Sequence, residues 1–392
     1  MSTRGSGGID GPAGGSLRNH GGDRSRRHRT PVSELLPDFP WDTIASVKRR
    51  AAEHPGGIVD LSVGTPVDPV DPLIRRALAS VAEVPGYPAT HGTPELRAAA
   101  VDALKRRFGI TGVEADAVLP VIGTKELIAG LPRLLGLGAD DLVVIPEVAY
   151  PTYEVGALLA GTQIARADGT AQLGPRNPAL IYLNSPSNPT GRVLGVEHLR
   201  KVVAFARERG AVLASDECYL GLAWDEPAVS ILDPRVCDGD HTGLLAIHSL
   251  SKTSNLAGYR AGFVTGDPAL VRELLEVRKH SGLIMPFPVQ AAMTAALGDD
   301  AHEAAQRERY RARREILRKA LQDAGFRIDH SQAGLYLWST RGESGRATLE
   351  WLADRGILAA PGDFYGPAGV DHVRVALTAT DERIAAAAER LA

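Results

Sequence analysis

The chain reads as an α/β protein with a mostly parallel sheet in a large domain, followed by a smaller α+β domain. Three observations predict this. From about residue 120 to 267, short β-rich runs alternate with amphipathic stretches, the order that covers a parallel sheet with helices. Two of the runs, 211–214 and 244–247, are unbroken apolar stretches, which suits strands buried on both faces. Beyond them the pattern changes to one long charged helical stretch and a few short strands.

In order, the strand-like runs are LPVI, DLVVI, ALIYLN, AVLASD, LLAIHSLS and RAGFVTG. Upstream, residues 41–108 look helical with loops between, and SVGTPVDP demands a turn through its Gly and Pro. Downstream, a helix is expected near 301–324 and strands at 326–329 and 335–338, with further helix and strand signals after them. Four regions result: a disordered tail 1–30, a segment 31–75 joining the small domain, a large cofactor-binding domain 76–285 and a C-terminal small domain 286–392. The tail is rich in Gly, Arg and Ser and nearly free of large apolar side chains, so burial cannot offset its ordering entropy. Its cluster Arg24, Arg26, Arg27 and Arg29 reads as solvated charge.

Composition narrows the function. With 392 residues, 44% of them hydrophobic, the chain is long enough for about two packed domains. A formal charge of -3 gives no broad basic field for nucleic acid, so the expected partners are small molecules. No run approaches the length of a membrane span, and the N-terminus lacks the apolar segment of a secretory signal. Cys218 and Cys237 are too few for a disulfide framework and lack zinc-site spacing, which fits a reducing cytoplasm. Neither a Rossmann fingerprint nor a Walker A loop is present, internal repeats are absent, and HEAAQ at His302 lacks the second histidine of a zinc protease. No metal site is implied.

Open α/β sheets bind ligands past the carboxyl ends of their strands, so the residues there carry the chemistry. After LPVI, Gly123-Thr124-Lys125 opens a helix, whose free N–H groups and dipole suit a phosphate; taken alone, it is also an ordinary capped helix. After ALIYLN, the loop Ser185-Pro186-Ser187-Asn188-Pro189-Thr190-Gly191 is stiffened by two prolines and aims the Asn188 amide. After AVLAS stand Asp216 and Tyr219, a carboxylate and a phenol at the end of a buried strand. Such an acid is costly unless paired, and a helix cap or internal salt bridge is its plain alternative. After LLAIH come Ser249 and Lys252, then Arg260, so hydroxyl, amine and guanidinium converge. A free lysine is neutral in only about one amine in a thousand at pH 7. A nucleophilic lysine therefore needs a depressed pKa or a carbonyl cofactor that already holds it as an imine.

The motifs NSPSNPTG, SDECY and SLSKTSNLAGYR, with their mutual spacing, resemble the class I/II aminotransferases of fold type I, and the likeness covers nearly everything after the tail. The resemblance implies pyridoxal 5'-phosphate as cofactor. By position, Lys252 holds it and carries protons, Asp216 keeps the pyridine nitrogen protonated, and Tyr219 and Asn188 bind its phenolic oxygen. Tyr150, in EVAYPTY, matches the residue stacked on the ring. Gly123 to Lys125, Ser249 and Arg260 match the phosphate site. Tyr87, in GYPATHGTPELR, matches a tyrosine that reaches the neighbouring subunit's phosphate, which implies a homodimer. Arg374, in HVRVALTAT, matches the clamp on the substrate α-carboxylate, with the Gly64 backbone and Asn188 beside it.

The same cage also serves lyases and decarboxylases; the NPTG loop together with Arg374 favours transamination. Within the family, LLPDFPWD, GTKELIAGLP, APGDFYGP and HVRVALTATDERIAAA resemble actinobacterial N-succinyldiaminopimelate aminotransferases. That likeness implies glutamate as donor and N-succinyl-2-amino-6-oxopimelate as acceptor. Loop 281–288 has no arginine for a distal carboxylate, against a narrow aspartate enzyme. Lys125 is a candidate for a distal acid, or else a solvated helix-start lysine. Other amino or keto acid substrates stay open. A regulator with an aminotransferase-like sensor domain would need a DNA-binding helix-turn-helix, and the tail is too short and glycine-rich to make one.

Overall fold

A computed structural model describes residues 31–392, so the tail expected at 1–30 lies outside the described residues. The first strand, β1 (Val59–Asp60), stands apart from the central sheet. That sheet is built from β2 (Val118–Ile122), β3 (Leu142–Ile145), β4 (Gln163–Arg166), β5 (Leu180–Asn184), β6 (Val212–Asp216), β7 (Leu244–Ser249) and β8 (Ala261–Gly266). Its spatial order is β2-β8-β7-β6-β5-β3-β4. The strands from β3 to β7 pair in parallel, and β8 runs antiparallel to both β2 and β7. The link from β7 to β8 carries no helix, so the crossover that a parallel pairing needs is missing.

Sequence patterning located the inner strands because both their faces are covered: β5, β6 and β7 are buried along almost their whole length. It did not mark β4, an edge strand with one exposed, two half-buried and one buried residue. Two apolar clusters sandwich the sheet. One gathers Leu96, Leu104, Leu199, Leu213 and Phe263, the other Leu127, Tyr153, Tyr182, Ile247 and Leu274.

A second sheet joins β9 (Arg327–Asp329), β10 (Tyr336–Thr340), β12 (Ala360–Pro361) and β13 (Val373–Ala376) in the antiparallel order β12-β13-β10-β9, while β11 (Ile357–Leu358) pairs in parallel with β1. The strands expected at 326–329 and 335–338 are present one residue later at their starts. The expected long helix is Ala301–Asp323. Ile44, Val47 and Val59 from the N-terminal segment pack in one core with Leu317, Leu349, Val375 and Ile384. The consequence for function is positional: the carboxyl ends of β5, β6 and β7 meet β10 and β13 across one cavity. Among the described residues no helix is long and apolar enough to cross a membrane.

Candidate active site

That cavity, about 640 Å³, is lined by Gly64, Thr124, Lys125, Tyr150, Asn188, Asp216, Tyr219, Ser249, Lys252, Arg260 and Arg374. Of the residues marked from sequence, Gly123 and Tyr87 are absent from its wall. Gly123 sits one step behind it, with φ +93° as it caps helix Thr124–Leu134. A Cβ there would lie 2.0 Å from the Arg260 guanidinium, so glycine is required twice over, by backbone and by space. Tyr87 is fully exposed at 100% and does not line this cavity.

Lys252 follows β7 and points its amine at the Gly64 carbonyl, to which it donates a hydrogen bond. Burial lowers its pKa, partly opposed by the nearby Tyr336 and Cys218, which raises the fraction of neutral, nucleophilic amine. Gly64 must be glycine here, because a Cβ would lie 2.1 Å from the Tyr336 hydroxyl.

Asp216 ends β6 with 5% exposure. Burial raises its pKa, while Cys218 and the Tyr153 hydroxyl, which donates to its Oδ2 at 2.8 Å, pull the other way. No lysine or arginine pairs with it among the described residues. A buried carboxylate without a cation is costly, and a protonated pyridine nitrogen is the kind of group that would offset it. Asn184 braces the same corner: its amide nitrogen donates to the Asp216 carbonyl at 2.8 Å and its Oδ1 accepts the Asn188 N–H at 2.7 Å.

Asn188 in turn accepts Arg374 Nη1 on Oδ1 at 2.8 Å, and Arg374 Nη2 donates to the Ser62 carbonyl at 2.7 Å. The guanidinium is buried, its Nε has no partner, and it lies 4.0 Å from the Tyr336 ring centroid and 5.0 Å from that of Tyr365. Desolvation works against its charge, but the surrounding tyrosine hydroxyls prevail and its pKa is raised. Arg374 is thus a permanent cation in the cavity wall. The Tyr219 and Tyr336 hydroxyls are 3.2 Å apart. Burial pushes Tyr219 up; it also pushes Tyr336 up, but there Arg374 and Lys252 outweigh it and the net direction is down. Tyr150, against which Lys125 lies at 5.9 Å, is pushed by burial up to about 12.

These groups fit pyridoxal phosphate: an amine, a cation-seeking acid opposite, and, for the phosphate, a helix N-terminus at Thr124 with Ser249 and Arg260 beside it. Sequence reasoning missed Tyr153, Asn184, Tyr336, Phe39 and Trp41. Tyr153 stands three residues after Tyr150 in EVAYPTY, and Tyr336 is the lone hydroxyl in the apolar run GLYLW; a polar atom inside a buried strand was the available signal. Phe39 and Trp41 wall the cavity from the N-terminal segment, and their role is invisible without the chain's long-range path.

Comparison with known proteins agrees with this geometry. The family model "Aminotransferase class I and II" matches residues 57–391. The chain is 69% identical to the Mycobacterium tuberculosis protein "Probable aminotransferase Rv1178", over 93% of this chain and 87% of that one. It is 58% identical to 4-dedimethylamino-4-oxo-anhydrotetracycline transaminase OxyQ of Streptomyces rimosus, over 91% of this chain and 99% of the relative. A solved aminotransferase from Neisseria meningitidis superposes with a TM-score of 0.84 at 31% identity, covering 92% of this chain and 98% of that one. Sequence, cavity and relatives converge: the chain belongs to the class I and II aminotransferases, enzymes of fold type I that work with pyridoxal phosphate.

Proposed function

We propose that this enzyme moves the amino group of glutamate to N-succinyl-2-amino-6-oxopimelate by a ping-pong route, giving N-succinyl-LL-diaminopimelate for lysine and cell-wall precursor synthesis in the cytoplasm. The observation that carries the aminotransfer chemistry is the meeting of Lys252, Asp216 and Arg374 in one cavity. The acceptor rests on the likeness of LLPDFPWD, GTKELIAGLP and APGDFYGP to succinyldiaminopimelate enzymes and on a cavity of about 640 Å³, within the size range of small-molecule sites.

When bound, pyridoxal phosphate supplies a carbonyl for the amine and a ring that draws electrons from Cα. Arg374, aided by Asn188 and the Gly64 backbone, holds the α-carboxylate and so orients the Cα–H bond. Lys252, its amine freed when substrate binds, would be the group that takes the Cα proton and carries it within the site. Asp216 stays ionised against the pyridine nitrogen and keeps it protonated. Tyr219 and Asn188 hold the phenolic oxygen, Tyr150 covers the ring, and Gly123, Thr124, Lys125, Ser249 and Arg260 hold the phosphate. Tyr87, wholly exposed on its own subunit, reaches the phosphate of the partner in a homodimer.

A second reading is favoured by a specific pair of observations. Phe39, Trp41 and Val63 make one wall of the cavity apolar, and a relative at 58% identity is described as acting on an anhydrotetracycline ketone. The alternative acceptor is accordingly a bulky ring ketone. Purified enzyme is converted to its amino form with glutamate, followed by its visible absorption, and then offered each acceptor. Restoration of the original band by the succinylated keto acid, and not by polycyclic ketones, supports the first reading; the reverse pattern replaces it.

A further inference from the structure

Two carboxylates follow one another where β6 ends. Asp216 faces the cofactor cavity, and Glu217 lies behind it, 2% exposed. Glu217 Oε1 accepts the Ile231 N–H at 2.8 Å, whereas Oε2 has no partner. The nearest basic group is His248 of β7, whose Nε2 lies 3.7 Å from Glu217 Oε2 and is likewise unpartnered. That separation is too long for a hydrogen bond, and two orphaned buried atoms are costly.

A void of about 40 Å³ joins them, lined by both side chains and by Cys218, Ser249 and Glu303. It has room for one water, which needs two to four polar partners of the kind found here. Cys218 and Ser249 line this void and also the cofactor cavity, so the two chambers are neighbours. The remaining charges around the void are already engaged. Glu303, from helix Ala301–Asp323, is ion-paired with Arg107 of helix Pro94–Phe108, and Gly221 makes room for it, since a Cβ there would lie 2.7 Å from Glu303 Oε1. Phe263 of β8 stacks on the His248 ring at 5.0 Å. The Ser230 and Ser215 hydroxyls also face the Glu217 carboxyl, but neither carries charge, so His248 is the ionisable group left beside it.

We propose that Glu217 and His248 are a positioning pair behind the cofactor floor, holding one proton between them, on the Glu217 carboxyl, through a water seated in the void. The pair carries no net charge and ties the ends of β6 and β7 together, so that Asp216 and Ser249 keep their spacing. The inference rests on the reading that Asp216 and Ser249 hold the cofactor. Neutrality matters because a second full charge one residue from Asp216 raises the cost of the first. Burial acts in the same sense on both groups, pushing the Glu217 carboxyl up to about 7 and the His248 imidazole down to about 3.

The test uses the cofactor-saturated enzyme, with dissociation of pyridoxal phosphate followed by absorbance after dialysis. Glu217→Gln keeps an uncharged hydrogen-bonding group and is expected to leave the dissociation constant within about twofold of wild type, whereas Glu217→Ala weakens it by about tenfold. Equal damage from both variants, or none from Ala, overturns the proposal. Infrared spectra keep the test open if the Ala variant does not fold. Below about pH 7 the wild type is expected to show a buried protonated-carboxyl band that Glu217→Gln lacks; a wild type without that band also overturns it. Asp216→Ala separates the two levels: unchanged cofactor affinity there sinks the cofactor assignment, while the infrared band stands on its own.

Discussion

Gly64→Ala is the sharpest perturbation that the geometry offers. The added Cβ would fall 2.1 Å from the Tyr336 hydroxyl, 2.8 Å from its Cζ and 2.9 Å from its Cε1. The ring can move only by giving up the contacts that hold it beside the cavity. It is 4% exposed, with Arg374 4.0 Å from its centroid and Tyr219 hydrogen-bonded to its hydroxyl. Overpacking of this kind costs about 1–3 kcal/mol. Because the Gly64 carbonyl accepts from Lys252, the same shift disturbs the amine. Tyr336→Phe alone removes one hydrogen bond, worth about 1 kcal/mol, and in the double variant the nearest contact recedes from 2.1 to 2.8 Å. The double variant is therefore expected to be less destabilised than the sum of the single ones, with a coupling of about 1 kcal/mol. Urea unfolding midpoints at a fixed excess of cofactor measure the cycle, since cofactor concentration itself shifts stability. Additivity within about 0.5 kcal/mol would show that the clash does not exist and that Gly64 is free of Tyr336.

The remaining expectations concern the reacting groups. Lys252→Ala should retain some cofactor non-covalently yet lose turnover, because nucleophile and base go together; turnover near wild type would contradict the mechanism. Arg374→Ala should chiefly raise KM for amino donors, with a smaller loss in kcat, and an unchanged KM for every donor would remove it from the site. Asp216→Asn should stabilise the cofactor-free protein while crippling proton abstraction. Because burial raises the Asp216 pKa, ionising it opposes folding: the cost is absent below the ordinary carboxylate pKa near 3.9 and complete once pH passes the raised folded value. The variant's advantage over wild type should thus grow with rising pH and vanish in acid, and a gap that widened toward acid would reverse the sign.

Strands buried on both faces announce themselves in sequence, because one run of apolar residues satisfies two packed layers; that is why 211–214 and 244–247 located β6 and β7 and, through their ends, Asp216 and Lys252. Edge strand β4 gives no such signal, since only one of its four residues is buried. The site's supporting polar groups were hidden for another reason. Tyr153 and Asp216 are 63 positions apart in sequence, and Asn188 and Arg374 are 186 apart; no local pattern encodes either hydrogen bond. Tyr336 looked like one more aromatic in a strand until β10 placed its hydroxyl against Tyr219 and over Gly64. Likeness of motifs supplied what periodicity lacked for Arg374, which otherwise reads as a strand-end charge.

Arg374 stands at a junction of three stretches of chain: β13 carries it, the Asn188 loop receives one arm and the Ser62 carbonyl the other. Those two bonds use two of the five guanidinium N–H groups, so the folded protein fixes the plane of the cation and leaves the other donors, Nε among them, uncommitted. The two arms that aim the cation also tie the N-terminal segment to the Asn188 loop, so one side chain serves both the fold and the cavity.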